Sequence, residues 1–203
     1  LPAPGDSFLR WAEIEAEFAR SPQLLEEASY WAQVESVPPL VIPHDFTASG
    51  EGCGDLDTVG VGLDPNDTEA LLTRVHRAYE TQINDLLLTA LARAARTSYG
   101  AGRSRLLLEG HGREELADGV DISRTVGWFT SLFPAVLDLG DTNELPDQIR
   151  RVRDELRRIP RKGIGYGLLR YLTPPALRPK LTPAGPADIV FNFLGQFDDD
   201  QDG

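Results

Sequence analysis

Within six consecutive residues, Glu109-Gly110-His111-Gly112-Arg113-Glu114, the chain sets two carboxylates, an imidazole and a guanidinium among glycines. Side chains of these types transfer protons and hold anions. Glycines between them let a substrate approach the backbone closely. The mostly apolar run at residues 105–109 predicts a buried strand that stops at Gly110 and delivers Glu109 to a loop. The residues alone leave two readings open. Glu109 is a proton-transfer group exposed in a cleft, or the segment is a turn whose Glu and Arg side chains pair with each other or with neighbours.

Other chemistries lack their residues. His44, His76 and His111 stand more than thirty positions apart beside a single cysteine, Cys53, so no zinc-ligand spacing exists and no metal is expected. No Gly-x-Ser-x-Gly elbow and no Gly-x-x-x-x-Gly-Lys phosphate loop occurs, and the glycines flanking Tyr166 lack a dinucleotide fingerprint. No directly bound cofactor is expected. A lone cysteine fits a cytoplasmic location. The net charge of −12 over 203 residues argues against nucleic acid or an anionic membrane as partner. The apolar runs are too short to cross a bilayer, and no signal-peptide pattern opens the chain. Methionine is absent throughout, so the sequence reads as a piece of a longer polypeptide.

One local patch departs from the acidic balance. Between Glu144 and Arg170, eight basic residues face four acidic ones. Arg150, Arg153, Arg157 and Arg161 recur at helical spacing on one side. They suit an acidic partner, or a solvated face balanced by Asp154 and Glu155.

The positioning elements follow from pattern. Residues 8–35 read as helices split at Ser21-Pro22, with an apolar stripe through Phe8, Trp11, Ile14 and Phe18. Residues 37–55 form a long Pro- and Gly-rich connection with an extended middle, and residues 56–63 alternate like a strand. Asp64-Pro65 starts a helix with a buried face of Leu71, Leu72, Val75, Ala78 and Tyr79; a second helix covers 84–98 and stops at Gly100. Residues 126–139 predict one or two strands broken at Pro134, and 146–158 an amphipathic helix. Residues 173–187, with five prolines, form a loop; 189–197 are the final strand and 198–203 an acidic tail. The expected class is an α/β (α+β) two-layer sandwich, a mixed sheet with flanking helices.

Five ordered motifs give these elements a family. Asp85-Leu86-Leu87-Leu88-Thr89-Ala90, the Glu109–Glu114 segment, Arg124-Thr125-Val126-Gly127-Trp128-Phe129-Thr130, the Pro160-x-x-Gly-x-Gly-Tyr-Gly segment ending at Gly167, and Phe191-Asn192-Phe193-Leu194-Gly195-Gln196-Phe197 match in sequence. So does the opening, with Trp11 and Tyr30-Trp31. Together they resemble the C-terminal lobe of an epimerization domain of nonribosomal peptide synthetases, in the condensation superfamily. Two positions depart from its pattern: Phe133 and Phe193 stand where the family usually has tyrosine, so the hydroxyl at Phe193 is missing.

The resemblance implies a chloramphenicol-acetyltransferase-like lobe over residues 1–203 whose partner lobe, bearing His-His-x-x-x-Asp-Gly, is absent here. It implies inversion of the α-carbon of an aminoacyl or peptidyl thioester on the 4'-phosphopantetheine of a peptidyl carrier protein, alongside other synthetase modules. Glu109 is then the proton-transfer residue on this side of a tunnel between lobes, and the lobe alone is inactive. His111, Tyr166, Asn192 and Phe193 belong to the tunnel. His111 is a wall residue or a proton shuttle, and Asn192 is a buried amide reaching substrate. Arg113 pairs with the absent motif's Asp, or with Glu114 or Glu115. Arg124, Trp128 and Phe129 pack a strand and support the lobes, or touch substrate. Arg150, Arg153 and Arg157 are the carrier-docking candidates. Peptide-bond formation and a silent, recruiting relative are the alternative functions.

Overall fold

The structure, a computed structural model, describes residues 5–44, 57–183 and 185–195. Four of its helices start where the sequence supplies side-chain caps. The Ser7 hydroxyl accepts from the Arg10 amide ahead of α1 (Phe8–Phe18), and that of Ser21 accepts from Leu24 ahead of α2 (Pro22–Leu25). After α3 (Ala28–Glu35), Asp64 caps α4 (Pro65–Glu69) through the Asp67 amide at 2.9 Å. A π-helical turn, Ala70–Arg74, leads into α5 (Val75–Tyr79). That turn rotates the apolar stripe. The expected buried face is therefore at most half-buried, with Ala78 exposed. α6 (Ile83–Tyr99) opens with a Gln82–Asp85 capping box and closes on left-handed Gly100.

The sheet is mixed, as the sequence predicts. β1 (Arg103–Gly110) lies between antiparallel β2 (Ser131–Asp138) and parallel β3 (Val190–Phe191). The expected break at Pro134 does not occur. Pro134 faces Leu107, whose N–H turns the other way to the Ile189 carbonyl at 3.0 Å. The two therefore form a non-hydrogen-bonded pair, and the N–H that proline lacks would point off the sheet edge. The segment 126–130 stays outside the strand.

Two further strand expectations are corrected. Residues 57–63 form no strand, and Val61 is 94% exposed; a strand exists by pairing, and none of the described residues lies alongside. The final strand contracts to Val190–Phe191, whose last pair is Phe191 with Leu108, although β1 itself continues to Gly110. The extended middle of the 37–55 connection is seen at Pro39, which bridges to Arg105. Leu56, Cys53 with the rest of residues 45–55, and the acidic tail lie outside the described residues.

α7 (Leu145–Arg157), a turn at Pro160–Gly163, the short α8 (Ile164–Gly167) and a second π turn, Leu168–Leu172, complete the flanking layer. Leu88 and Ala92 of α6, Leu106 and Leu108 of β1, Phe133 of β2 and Val152 of α7 share one core with Trp31. No helix among the described residues is long and apolar enough to cross a membrane.

Candidate active site

β1 and β3 run parallel, and β3 ends opposite Leu108 while β1 continues two residues to Gly110. Leu108 pairs with Phe191, and the residues that follow are Glu109, still within β1, and Asn192, just past β3. Alternation puts these two on one face. Asn192 Nδ2 donates to Glu109 Oε2 at 2.6 Å. Both residues are exposed. Asn192 is thus not the buried amide expected from its apolar neighbours: β3 ends before it, and its partner is the carboxylate.

Glu109 borders a cleft of about 300 Å³ together with His111, Glu114, Lys162, Phe133 and Phe191. Asp85 also lines it, but one of its carboxylate oxygens accepts from the Gln82 amide at 2.7 Å to cap α6. His111 Nδ1 accepts from the Arg113 amide at 3.0 Å, and Nε2 lies 3.1 Å from Glu114 Oε1. An amide donor at Nδ1 places the ring proton at Nε2, aimed at Glu114. The second Glu114 oxygen meets Lys162 Nζ at 3.1 Å. His111, Glu114 and Lys162 therefore form one chain of contacts along the cleft wall.

The loop after β1 is held by Arg113. Its guanidinium donates to the carbonyls of Ile122 and of Thr125 (2.8 Å) and sits 3.8 Å over the Phe129 ring. Those contacts stand in place of the alternative pairing with Glu114 or Glu115, and Glu114 instead meets His111 and Lys162. Gly112 is required here: φ is +67°, and a Cβ would lie 1.6 Å from the Phe129 carbonyl oxygen.

The remaining sequence-derived residues are not gathered at Glu109. Phe129 is buried with Trp11, Ile122 and Ile164, but Trp128 is 83% exposed and neither lies in a strand, which corrects the strand-packing expectation. At Gly127 a Cβ would lie 2.5 Å from the Phe8 ring, so the segment passes close against α1. Arg124 occupies a turn near Asp121, whose carboxyl is held below its usual range chiefly by hydrogen bonds from Ser123, with Arg124 adding to it. Tyr166 is buried and donates to Glu35, while Arg170 donates to its oxygen at 2.6 Å. Burial first, then the Glu35 carboxylate, pushes its phenol above the ordinary range. Tyr166 lines a separate cleft with Leu107, Leu132 and Arg170. Phe193 is half-buried beyond the end of β3.

The arginines of α7 have structural partners. Arg153 donates to the Tyr79 carbonyl at 2.7 Å and Arg157 to that of Glu80 at 2.5 Å, so they cap the C-terminus of α5. Arg150 pairs with Asp147 at 2.7 Å and lies 5.9 Å from the Tyr79 ring. The basic stripe clamps two helices as well as facing solvent. Replacing Arg153 with Met is expected to fray α5 and to lower stability by about 1 kcal/mol. Hydrogen exchange confined to residues 75–80 is the measurement.

Lys162 was legible only as part of the charge patch, but its backbone marks it. Arg161 (φ 42°), Lys162 (φ 49°) and Gly163 (φ 92°) are left-handed in succession. For the first two residues this costs about 1–3 kcal/mol each. Arg161 is anchored on buried Glu27, which also accepts from Trp31 Nε1 at 2.9 Å. At Gly163 a Cβ would lie 2.2 Å from the Phe133 ring. Gly163→Ala is expected to lose about 1–3 kcal/mol of unfolding free energy in urea titrations. Among the described residues no cluster of three His, Cys, Asp or Glu side chains is placed to hold a metal ion.

Comparison with known proteins places this geometry. A family model described as "Condensation domain" matches residues 1–203. The chain is 41% identical over 203 residues to surfactin synthase subunit 1 of Bacillus subtilis (strain 168), covering 100% of itself and 6% of that protein. It is 43% identical over 201 residues to gramicidin S synthase 1 of Brevibacillus brevis, covering 98% of itself and 18% of that protein. The chain thus spans a small fraction of the curated relatives it matches. The crystal structure of the epimerization domain from the third module of tyrocidine synthetase B superposes with a TM-score of 0.89 at 42% identity, over 97% of this chain and 44% of that one. The SgcC5 protein from Streptomyces globisporus, at 16% identity and TM-score 0.66 over 90% of this chain and 39% of that one, shares the fold.

Proposed function

The chain belongs to the Condensation domain family, and on that premise we propose that it is the Glu109-bearing half of a domain that inverts the α-carbon of an aminoacyl or peptidyl thioester. The thioester arrives on the phosphopantetheine arm of a peptidyl carrier protein in a nonribosomal peptide synthetase. The observation that carries the reading is the Glu109–Asn192 pair, an oriented carboxylate near the end of β1, held by the residue that follows β3, at the rim of a cleft. The likeness to a solved epimerization domain supports it.

The chemistry needs little more than directed proton transfer. The Cα–H bond breaks, its proton passes to the Glu109 carboxylate, and its electron pair moves onto the thioester carbonyl oxygen as an enolate. Protonation of the opposite face re-forms the carbonyl and inverts the centre. That second proton comes from a group across the tunnel, which the resemblance assigns to a histidine of the other lobe. Asn192 keeps the carboxylate aimed throughout. The exposure of Glu109 and Asn192 suits a surface that the other lobe covers, and covering it strengthens every charge interaction inside.

In this reading Arg150 is the foremost carrier-docking residue, because Arg153 and Arg157 are already engaged on α5. The family also forms peptide bonds, and product analysis separates the two reactions. Offered a carrier-bound L-aminoacyl donor and a second carrier-bound acceptor, the polypeptide spanning both lobes is expected to yield the D-aminoacyl thioester and no dipeptide. Dipeptide without inversion would contradict the proposal.

A further inference from the structure

We propose that Lys162 is a catalytic residue whose ammonium holds the carbonyl oxygen of the bound thioester as that oxygen gains enolate charge; this rests on the inversion reaction proposed above. Asp85, Glu109 and Glu114 border the cleft, and Lys162 is the single Lys or Arg among the described residues that line it. Proton removal transfers negative charge from Glu109 to the substrate oxygen. Without a cation nearby, that oxygen forms beside two remaining carboxylates and is repelled by them.

The backbone supplies an independent argument. Lys162 is left-handed, a conformation that lysine rarely adopts and that persists only where neighbours enforce it. The enforcement is visible on both sides: Arg161 is tied to buried Glu27, and Gly163 is packed against the Phe133 ring. The strained turn also touches the catalytic strand, with the Lys162 carbonyl within ordinary contact distance of where a Cβ on Gly110 would sit. The fold thus spends strain to carry this side chain to the end of β1, one residue past Glu109.

The side chain itself is not buried for packing. It is 74% exposed and, among the described residues, is held by one ion pair, to Glu114 at 3.1 Å. Glu114 is a resting partner that fixes the ammonium at the cleft wall, and His111 braces Glu114 from the other side. A salt bridge this open is worth little to stability. A preorganised donor at a developing oxyanion is worth far more to rate.

The phosphate of the pantetheine arm is the competing anion, and kinetics separate the two. In the polypeptide spanning both lobes, Lys162→Met is expected to lower kcat for α-deuterium washout by about 10²–10³ with KM little changed. The same loss is expected with a short pantetheine thioester that carries no phosphate. Lys162→Arg should recover part of the rate, and urea unfolding should be unaltered in both variants. A defect confined to KM and to phosphate-bearing substrate would overturn the proposal and assign Lys162 to the arm. Wild-type kcat in Lys162→Met, or a loss matched by unfolding and not relieved by Arg, would also overturn it. Washout that is absent from the unsubstituted polypeptide would instead remove the reaction on which the inference stands.

Discussion

Glu109→Gln is expected to slow α-proton exchange by about two to four orders of magnitude in the polypeptide spanning both lobes, while leaving the fold and carrier binding intact. The substitution preserves volume and leaves an amide oxygen that can still accept from Asn192 Nδ2, as Oε2 does at 2.6 Å. It removes only the ability to take and return a proton. The loss therefore lies in kcat, since the missing interaction belongs to the transition state. Stability should change little, because Glu109 is exposed and makes no buried contact that Gln cannot copy. Washout of α-deuterium followed by mass spectrometry measures the rate. Exchange near the wild-type rate in the Gln variant would reassign Glu109 to a structural role.

A second large effect is expected far from that cleft. Glu35→Leu should cost about 3–5 kcal/mol of unfolding free energy. Glu35 and Arg105 are 1% and 3% exposed at the side chain and pair at 3.1 Å. The other Glu35 oxygen accepts from Tyr166 and from Arg170 at 3.2 Å. Arg105 in turn donates to the Val37 carbonyl at 3.1 Å and to that of Gly185 at 2.6 Å, tying α3, β1 and the 173–187 loop together. Leucine would leave the guanidinium buried without its counter-charge. Such a loss is a large share of the roughly 5–15 kcal/mol that stabilises a domain. Replacing Arg158, whose pair with Glu155 is largely exposed, should change stability by no more than about 1 kcal/mol. Urea midpoints for the two variants test the contrast, and equal shifts would contradict it.

Local signals carried much of the architecture. Serine and aspartate caps set the starts of α1, α2 and α4, and Gly100 set the end of α6, because a cap is satisfied by neighbours in sequence. Glu109 was legible for a similar reason: an apolar run followed by glycine announces a strand that ends in a side chain. What depended on distant partners was not legible. Pro134 sits inside β2 because Leu107 bonds to Ile189, a fact that no window around the proline contains. Residues 57–63 alternate correctly yet lack a partner among the described residues. Asn192 was judged by its apolar neighbours, whereas its place is set by a carboxylate 83 positions away. Arg153 and Arg157 read as a docking stripe or a solvated face, and no local window shows that they also bond the C-terminal carbonyls of α5. The left-handed Arg161 and Lys162 had no sequence signal at all, since neither residue type favours that conformation.

The most direct measurement of the central claim follows both the isotope and the configuration. A carrier loaded with an α-deuterated L-aminoacyl or peptidyl thioester is incubated in ordinary water with the polypeptide spanning both lobes, and the same is done from the D isomer. Deuterium loss is expected from both, with the two D:L ratios converging on one value and with Glu109→Gln slowing both processes together. Retained deuterium and unchanged configuration from either isomer, in a polypeptide that binds the carrier, would contradict it.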